Sequence, residues 1–347
     1  MEHFSEQVRS GRWKGATGKA ITDVVNIGIG GSFLGPKMCV RALHRYSGKL
    51  NIHFVSNIDG NDISYVLKDL RPETTLFLIA SKTFTTEETM ANAEIAKQWI
   101  LTNLGKKSTK EKQQKVVAKH FACMSTNEKA VVDFGIEKKN MFAFWEYIGG
   151  RYSIWSAIGL PLMLSIGPKG FRQFLAGGQA MDKHFKHSVP EKNLPVLLAL
   201  MGIWNNNFLN TASHLVIPYC SDLAYFTDYL QQMDMESNGK QINRANQRVS
   251  YKTGNILWGQ TGTDCQHSFF QLLHQGTRIS SVDFIGVLKH AHNYKNSHER
   301  LLANLFAQSE SLAFGLTPEE TLKNILAEQN TTRTSVEQEV PPPLRQN

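Results

Sequence analysis

The sequence has no apolar run long enough to cross a bilayer. Its longest candidates, around Leu160 to Ile166 and Leu194 to Trp204, are short and carry Pro161 and Pro195. No apolar core follows the charges of the opening MEHFSEQVRSGRWKG, which argues against a secretory leader. Cysteine is scarce. Cys39, Cys123, Cys220 and Cys265 are widely spread and form no C-x-x-C pair, so neither a disulfide framework nor a zinc ribbon is indicated. Thiols used as small buried hydrophobes fit a reducing cytoplasm, and a cytoplasmic location is expected. A dinucleotide fingerprint is missing, because its third glycine would fall at Phe33. A Walker loop is missing too, because Gly35-Pro36 stands where Gly-Lys is required. Around His290 and His292 there is neither H-E-x-x-H nor a carboxylate cluster, so no metal and no cofactor are expected.

What is present is a chain of 347 residues, 41% hydrophobic, longer than one ordinary core organises and so expected to form two domains. The formal net charge is +8, which suits an anionic partner. Six lysines fall between Lys106 and Lys119. No aromatic residues interleave with them, so the segment reads as a solvated helical face with its linker, and no nucleic-acid or membrane partner is expected.

From Val24 onward, short β-branched runs alternate with helical segments, the pattern of strand-helix units wound into a parallel α/β sheet. Candidate strands are Val24 to Ile29, Asn51 to Ser56, Thr75 to Ala80, His120 to Ser125 and Met141 to Phe144. A second domain is expected to begin in a helix around Ser153 to Ile166. It should be richer in helices, over Lys192 to Leu209, Leu223 to Met235, Asp264 to Gln275 and Arg300 to Phe314. A last helix opens at Thr317-Pro318-Glu319-Glu320, where a capping threonine, a proline and early acids coincide. From about Asn330 the tail is polar, carries three consecutive prolines, and is expected to be disordered.

In open α/β sheets, ligands settle outside the carboxyl ends of the strands. The segment NIGIGGSFLGP follows the first strand, and its glycines permit close backbone approach, as in an anion cradle or a purely structural turn. SKTFTT, Ser81 to Thr86, packs four hydroxyls and one ammonium between a strand and a helix start. One helix cap needs one hydroxyl, so this density favours a phosphate site over a simple cap.

Three residues are candidates for chemistry. Glu236, in QQMDMESNGK, falls in the last turn of a helix ending near Gly239, with Gln232 one turn earlier on the same face. The negative helix end lets a carboxyl hold its proton more readily, which suits a proton shuttle, although an exposed pair with Lys240 fits the spacing equally. His267 lies near the start of a helix for which Thr263 and Gln266 fit a capping box. There the positive end favours a neutral imidazole, and His267, Gln271 and His274 could also form an interface stripe. Arg151, beside two glycines in EYIGGRYSIW, can hold a developing oxyanion or pair structurally with a carboxylate.

Together and in this order, NIGIGGS, SNIDG, SKTFTTEET, FWEYIGGRYSIWSAIGLPL, QQMDMESNGK and GQTGTDCQHSFFQLLHQGT resemble the glucose-6-phosphate isomerase family over roughly Phe4 to Leu316. The resemblance implies two doubly wound sugar-isomerase (SIS) type domains with parallel sheets flanked by helices, residues 1–152 and a partial second domain over 153–329; the tail over 330–347, expected from its composition to be disordered, has no counterpart in the family pattern. It implies a homodimer with its active site near the subunit boundary and a sugar phosphate as substrate. Gly31, Ser32, Ser81, Lys82, Thr83, Phe84, Thr85 and Thr86 would bind the phosphate, and Gln232 would lie beside the sugar. Glu236 would carry the proton between C2 and C1 through a cis-enediol and Arg151 would steady the charge on oxygen. His267, from the partner subunit, would assist ring opening. Phe33 stands where many members carry aspartate. Against the family pattern the chain is expected to lack an N-terminal helical segment and a C-terminal region that supplies a lysine, leaving apolar surface uncovered; sugar-phosphate binding without turnover is the alternative.

Overall fold

The computed structural model describes residues 1–105 and 108–327. In its first part the elements are α1 (Glu2–Arg9), β1 (Asp23–Ile27), α2 (Leu34–Ala42), β2 (Asn51–Val55), α3 (Gly60–Leu67), β3 (Thr75–Ala80), α4 (Glu87–Leu104), α5 (Lys110–His120), β4 (Phe121–Met124), α6 (Glu128–Phe134) and β5 (Met141–Phe142). After these come α7 (Leu160–His187), α8 (Leu194–Ile203), β6 (Ser213–Tyr219), α9 (Phe226–Leu230), β7 (Leu257–Trp258), α10 (Phe270–Gln275), β8 (Ser280–Gly286) and α11 (Lys295–Phe314).

The first sheet is parallel throughout, in the order β2-β1-β3-β4-β5. Its strands are apolar at nearly every position because both faces are covered. Val25, Ile27, Phe77, Ile79, Phe121 and Cys123 face the core built with α3 to α6. The alternate residues Val24, Leu76, Leu78, Ala80, Ala122 and Met124 face the core shared with α1 and α7. This period of two confirms five strands expected from sequence, with β3 at the expected bounds. β1 stops at Ile27 rather than Ile29, since the Gly28 amide already bonds to the Val55 carbonyl (3.1 Å) and the chain then turns.

Residues 153–164, which the sequence reading assigns to a second domain, contribute Ala157, Ile158, Leu160 and Leu164 to the first sheet's core. Two short 3₁₀ turns, Gly150–Trp155 and Ala157–Gly159, precede α7. α7 is far longer than the helix expected to end at Ile166 and kinks at Gly167 (φ 82°, ψ 163°), where Pro168 also removes a backbone donor.

The second sheet, β7-β6-β8, is also parallel, with Ser213 opposite Ser280 and Tyr219 opposite Gly286. Leu215, Ile217 and Tyr219 form its core with Cys265, Phe270 and Leu305. Three of the helices expected here are broken or shorter, and one is longer. α8 passes into a π-helical turn at Trp204–Phe208, and the expected helix from Asp264 divides into a 3₁₀ turn (Asp264–His267) and α10. α11 starts at Lys295, five residues before the expected Arg300. At Thr317 the expected capping box forms: the Glu320 amide donates to the Thr317 hydroxyl (3.2 Å), and the Thr317 amide donates to the Glu320 carboxylate (2.9 Å).

α8 buries none of its residues: Leu198, Met201 and Ile203, with Trp204 and Phe208 beyond, are each more than half exposed. Cys39, Cys123 and Cys265 are buried, whereas Cys220 is partly exposed. Burial pushes the Cys39 and Cys123 thiols up to about 12. Lys110, Lys112, Lys115 and Lys119 lie exposed on α5, as a solvated face should; Lys106, Lys107 and the tail from 330 onward are outside the described residues. Among the described residues no helix is long and apolar enough to cross a membrane.

Candidate active site at the switch point of the first sheet

The strand order reverses between β1 and β3: β2, next in sequence, lies on one side of β1 and β3 on the other. The loops that follow β1 and β3 therefore diverge over a crevice at their carboxyl ends, and these are the two loops singled out as anion sites.

After β1 the chain makes a 3₁₀ turn at Gly30–Ser32, with Gly30 at φ 55°, and enters α2. Gly31 is packed so tightly that a Cβ there would lie 2.0 Å from the Gly150 carbonyl oxygen, so only glycine fits. The Ser32 carbonyl accepts a hydrogen bond from Asn26 Nδ2 (3.0 Å). Phe33 turns away to meet Phe54 edge-on (6.2 Å), and the Lys37 ammonium sits between the Phe33 and Tyr225 rings.

After β3 the loop is fixed mostly through its carbonyls. The Lys82 carbonyl accepts from the Thr126 amide (2.9 Å) and from the Ser125 (3.0 Å) and Thr126 (2.8 Å) hydroxyls, and the Thr83 carbonyl accepts from Asn127 Nδ2 (2.9 Å). Ser81 and Thr86 pair through their hydroxyls (3.1 Å), as do Thr85 and Thr83 (2.7 Å). Thr86 occupies the N-cap of α4 without a side-chain cap bond, leaving the first-turn amides of an 18-residue helix uncapped from within. Lys82 Nζ donates to the Glu146 carbonyl and ties this loop to the segment leading to Arg151. Phe84 departs from its expected place at the substrate: its ring is buried against Phe134, so only its backbone (φ 56°) shapes the loop.

The third component comes from α9, which widens at its end into a π-helical turn, Gln231–Glu236. Such turns are rare and concentrate at functional sites. Gln232 Nε2 lies 3.2 Å from where a Cβ on Gly30 would stand, so its amide reaches over the β1 loop. The Glu236 carboxylate is half-exposed and lies 3.5 Å from Arg151 Nη1. The alternative pair with Lys240 is not formed with the carboxylate: Lys240 Nζ donates instead to the Glu236 and Ser237 carbonyls, closing the helix end. Arg151 Nε and Gln232 Oε1 are buried, and neither has a partner among the described residues. The Arg151 guanidinium also lies over the Tyr152 ring (5.0 Å).

Two side chains not foreseen from sequence hold this assembly. The Ser153 hydroxyl lies 3.0 Å from the Gly31 carbonyl and 2.6 Å from that of Gly150, and Tyr229 donates its phenol to the Arg151 carbonyl (3.0 Å).

His267 makes no hydrogen bond or ion pair with the residues of this crevice. It is exposed at the end of the Asp264–His267 turn and has no hydrogen-bond or ionic partner among the described residues. The expected Thr263–Gln266 capping box does not form, because Gln266 Nε2 donates to the Tyr219 hydroxyl (2.9 Å). Nor is there a continuous stripe with Gln271 and His274: the helix breaks at Ser268–Phe269, and His274 pairs with Gln308 (3.0 Å). The His290 and His292 rings stack at 4.7 Å, and among the described residues no group of three metal-ligating side chains is positioned to hold an ion.

The family model described as phosphoglucose isomerase matches residues 1–341. A solved glucose-6-phosphate isomerase from Chlamydia trachomatis is 38% identical, with a TM-score of 0.78 over 89% of this chain and 58% of that one. This chain thus spans under two thirds of that enzyme's length. A hypothetical protein from Thermus thermophilus, 23% identical, shares the fold with a TM-score of 0.70 over 90% of this chain and 73% of that one.

Proposed function

Since the chain belongs to the phosphoglucose isomerase family, we propose that it interconverts glucose 6-phosphate and fructose 6-phosphate by proton transfer through a cis-enediol. The observation that carries this reading is the approach of Glu236 to Arg151 beside two loops whose amides and hydroxyls suit a phosphate. A separation of 3.5 Å exceeds the roughly 2.7–2.9 Å of a tight charge-assisted bond, so Arg151 can exchange this loose contact for a substrate oxygen.

In this reading Gly31, Ser32 and the Ser81 to Thr86 loop hold the phosphate, and Gln232 hydrogen-bonds a sugar hydroxyl. The Glu236 carboxylate takes the proton from C2 and returns it to C1, a second proton passes from the C2 oxygen to the C1 oxygen, and Arg151 stabilises the negative charge that grows on oxygen as the enediol forms. Both transfers are internal to the substrate, so no electron acceptor is consumed. His267 assists ring opening from the second subunit of a homodimer, which accounts for its exposed place in the single chain. A cytoplasmic glycolytic role accompanies the proposal.

A coupled assay of fructose 6-phosphate conversion tests it. Glu236→Gln should cut kcat by about 10²- to 10⁴-fold with little change in KM, the range expected for losing a general base. Wild-type rates in that variant would remove Glu236 from the mechanism, and tight sugar-phosphate binding without turnover by the wild-type chain would reduce it to a binding module.

A further inference from the structure

We propose that Tyr229 is a positioning residue for this proton transfer, its phenol anchoring the backbone of Arg151 to the helix that carries Gln232 and Glu236. The inference rests on the isomerase reading and adds a residue to it.

Arg151 follows Gly149 and Gly150, and Gly150 adopts φ 50° with open space where a Cβ would be. A glycine pair gives the main chain little stiffness of its own, so the placing of the guanidinium against Glu236 depends on the contacts that hold this loop. Its buried Nε has no hydrogen-bond partner among the described residues, and the guanidinium lies over the Tyr152 ring. The Tyr229 phenol supplies the anchor at the Arg151 carbonyl, 3.0 Å away. Tyr229 is itself held: it is 8% exposed, and its ring edge lies 3.4 Å from the Cβ position of Gly35 in α2.

The direction of the chain makes this bond more than local packing. Tyr229 lies in α9, and that helix runs directly into the Gln231–Glu236 turn. One hydrogen bond therefore references the oxyanion-stabilising group to the element bearing the base. Ser153 ties the Gly150 carbonyl to the β1 loop, and the Tyr229 bond is what ties the Arg151 backbone itself to the element bearing Glu236. Burial holds the Tyr229 phenol up at about 12, so it remains a donor throughout the neutral range.

The test compares Tyr229→Phe with Tyr225→Phe in the full chain. Tyr225 is a neighbouring tyrosine whose ring contacts Lys37 rather than the arginine loop. Readouts are kcat and KM for fructose 6-phosphate, and the affinities of two probes. Glucitol 6-phosphate has no carbonyl and reports ground-state phosphate binding. A five-carbon aldonic acid phosphate places a carboxylate where the enediolate oxygen would lie. Tyr229→Phe should lower kcat roughly 3- to 10-fold, the effect of one lost neutral hydrogen bond, and weaken the acid phosphate by a similar factor. KM and glucitol 6-phosphate affinity should stay unchanged, and Tyr225→Phe should match wild type.

Unchanged kcat and probe ratio in Tyr229→Phe, equal weakening of both probes, or the same losses in Tyr225→Phe would overturn the proposal. A wild-type chain that binds both probes without turnover sinks the isomerase reading, while the probe ratio still decides for or against Tyr229. Binding of neither probe by the wild type overturns both.

Discussion

Ser153 holds Gly31 in place: its hydroxyl lies 3.0 Å from the Gly31 carbonyl and 2.6 Å from that of Gly150, joining the loop after β1 to the loop that presents Arg151. Ser153→Ala leaves those carbonyls without this donor in a site where the serine is 3% exposed. A stability loss of about 1–3 kcal/mol in urea unfolding is expected, with a severalfold rise in KM. An unchanged KM would show that the two loops are held by other contacts.

Gly31→Ala should be the more damaging change, since a Cβ meets the Gly150 backbone rather than a movable side chain. Overpacking of this kind costs about 1–3 kcal/mol, and the displaced loop should raise KM for the sugar phosphate at least tenfold. Steady-state kinetics beside thermal unfolding separate the two effects.

Arg151→Lys keeps the charge but loses the planar fork that faces Glu236 and stacks on Tyr152. A fall in kcat of roughly 10²-fold, with KM within about threefold of wild type, is expected for a group acting mainly on the transition state. A pure KM effect would instead assign Arg151 to ground-state binding.

His267→Gln should leave stability within about 0.5 kcal/mol of wild type, because the residue is exposed and makes no hydrogen bond or ion pair among the described residues. Activity toward the cyclic substrate should fall. If unfolding measurements show a large stability loss instead, His267 has a structural partner in the assembled protein.

His120 gives the fold a pH dependence of its own. It is fully buried, with Nδ1 against the Thr75 carbonyl (2.7 Å) and Nε2 accepting from the Ala16 amide (2.9 Å), an arrangement that fits the neutral ring. Desolvation lowers its pKa below the ordinary histidine value and outweighs the opposing effect of the Thr75 bond. The unfolded chain therefore binds the proton first, at about pH 6.5, and stability contributed by neutral His120 is lost as pH falls below that value. Urea unfolding should show wild-type stability declining from pH 7 to pH 5.5, with a shallower slope in His120→Gln.

The first sheet was legible because strands buried on both faces read as apolar runs between turn signals, and Thr75–Ala80 could be bounded from sequence alone. Glu236 and Arg151 stood out through their surroundings, a helix ending at Gly239 and a double glycine, and the structure sets their side chains 3.5 Å apart. The π-helical widening was not, since an i, i+4 spacing looks the same whether or not an extra residue enters the turn. Thr263 and Gln266 fitted a capping pattern, but Tyr219 competes for the glutamine, a partner 47 positions away that no local motif reveals. Ser153 and Tyr229 escaped notice for the same reason: each bonds a distant backbone carbonyl, and a serine or tyrosine bound for that purpose has no signature. The position of Ser153 directly after GGRY was the one available hint.

The pairing of β1 with β3, Asp23 opposite Thr75 and Ile27 opposite Ile79, fixes the width of the aperture between the two loops. Neighbouring strands lie about 4.8 Å apart, so the two cradle loops depart from the sheet at a gauge set by main-chain hydrogen bonds. Residues within the loops can be exchanged without altering that gauge, provided Gly31 still seats against Gly150; the spacing is a property of the strand ladder and persists as long as the ladder does.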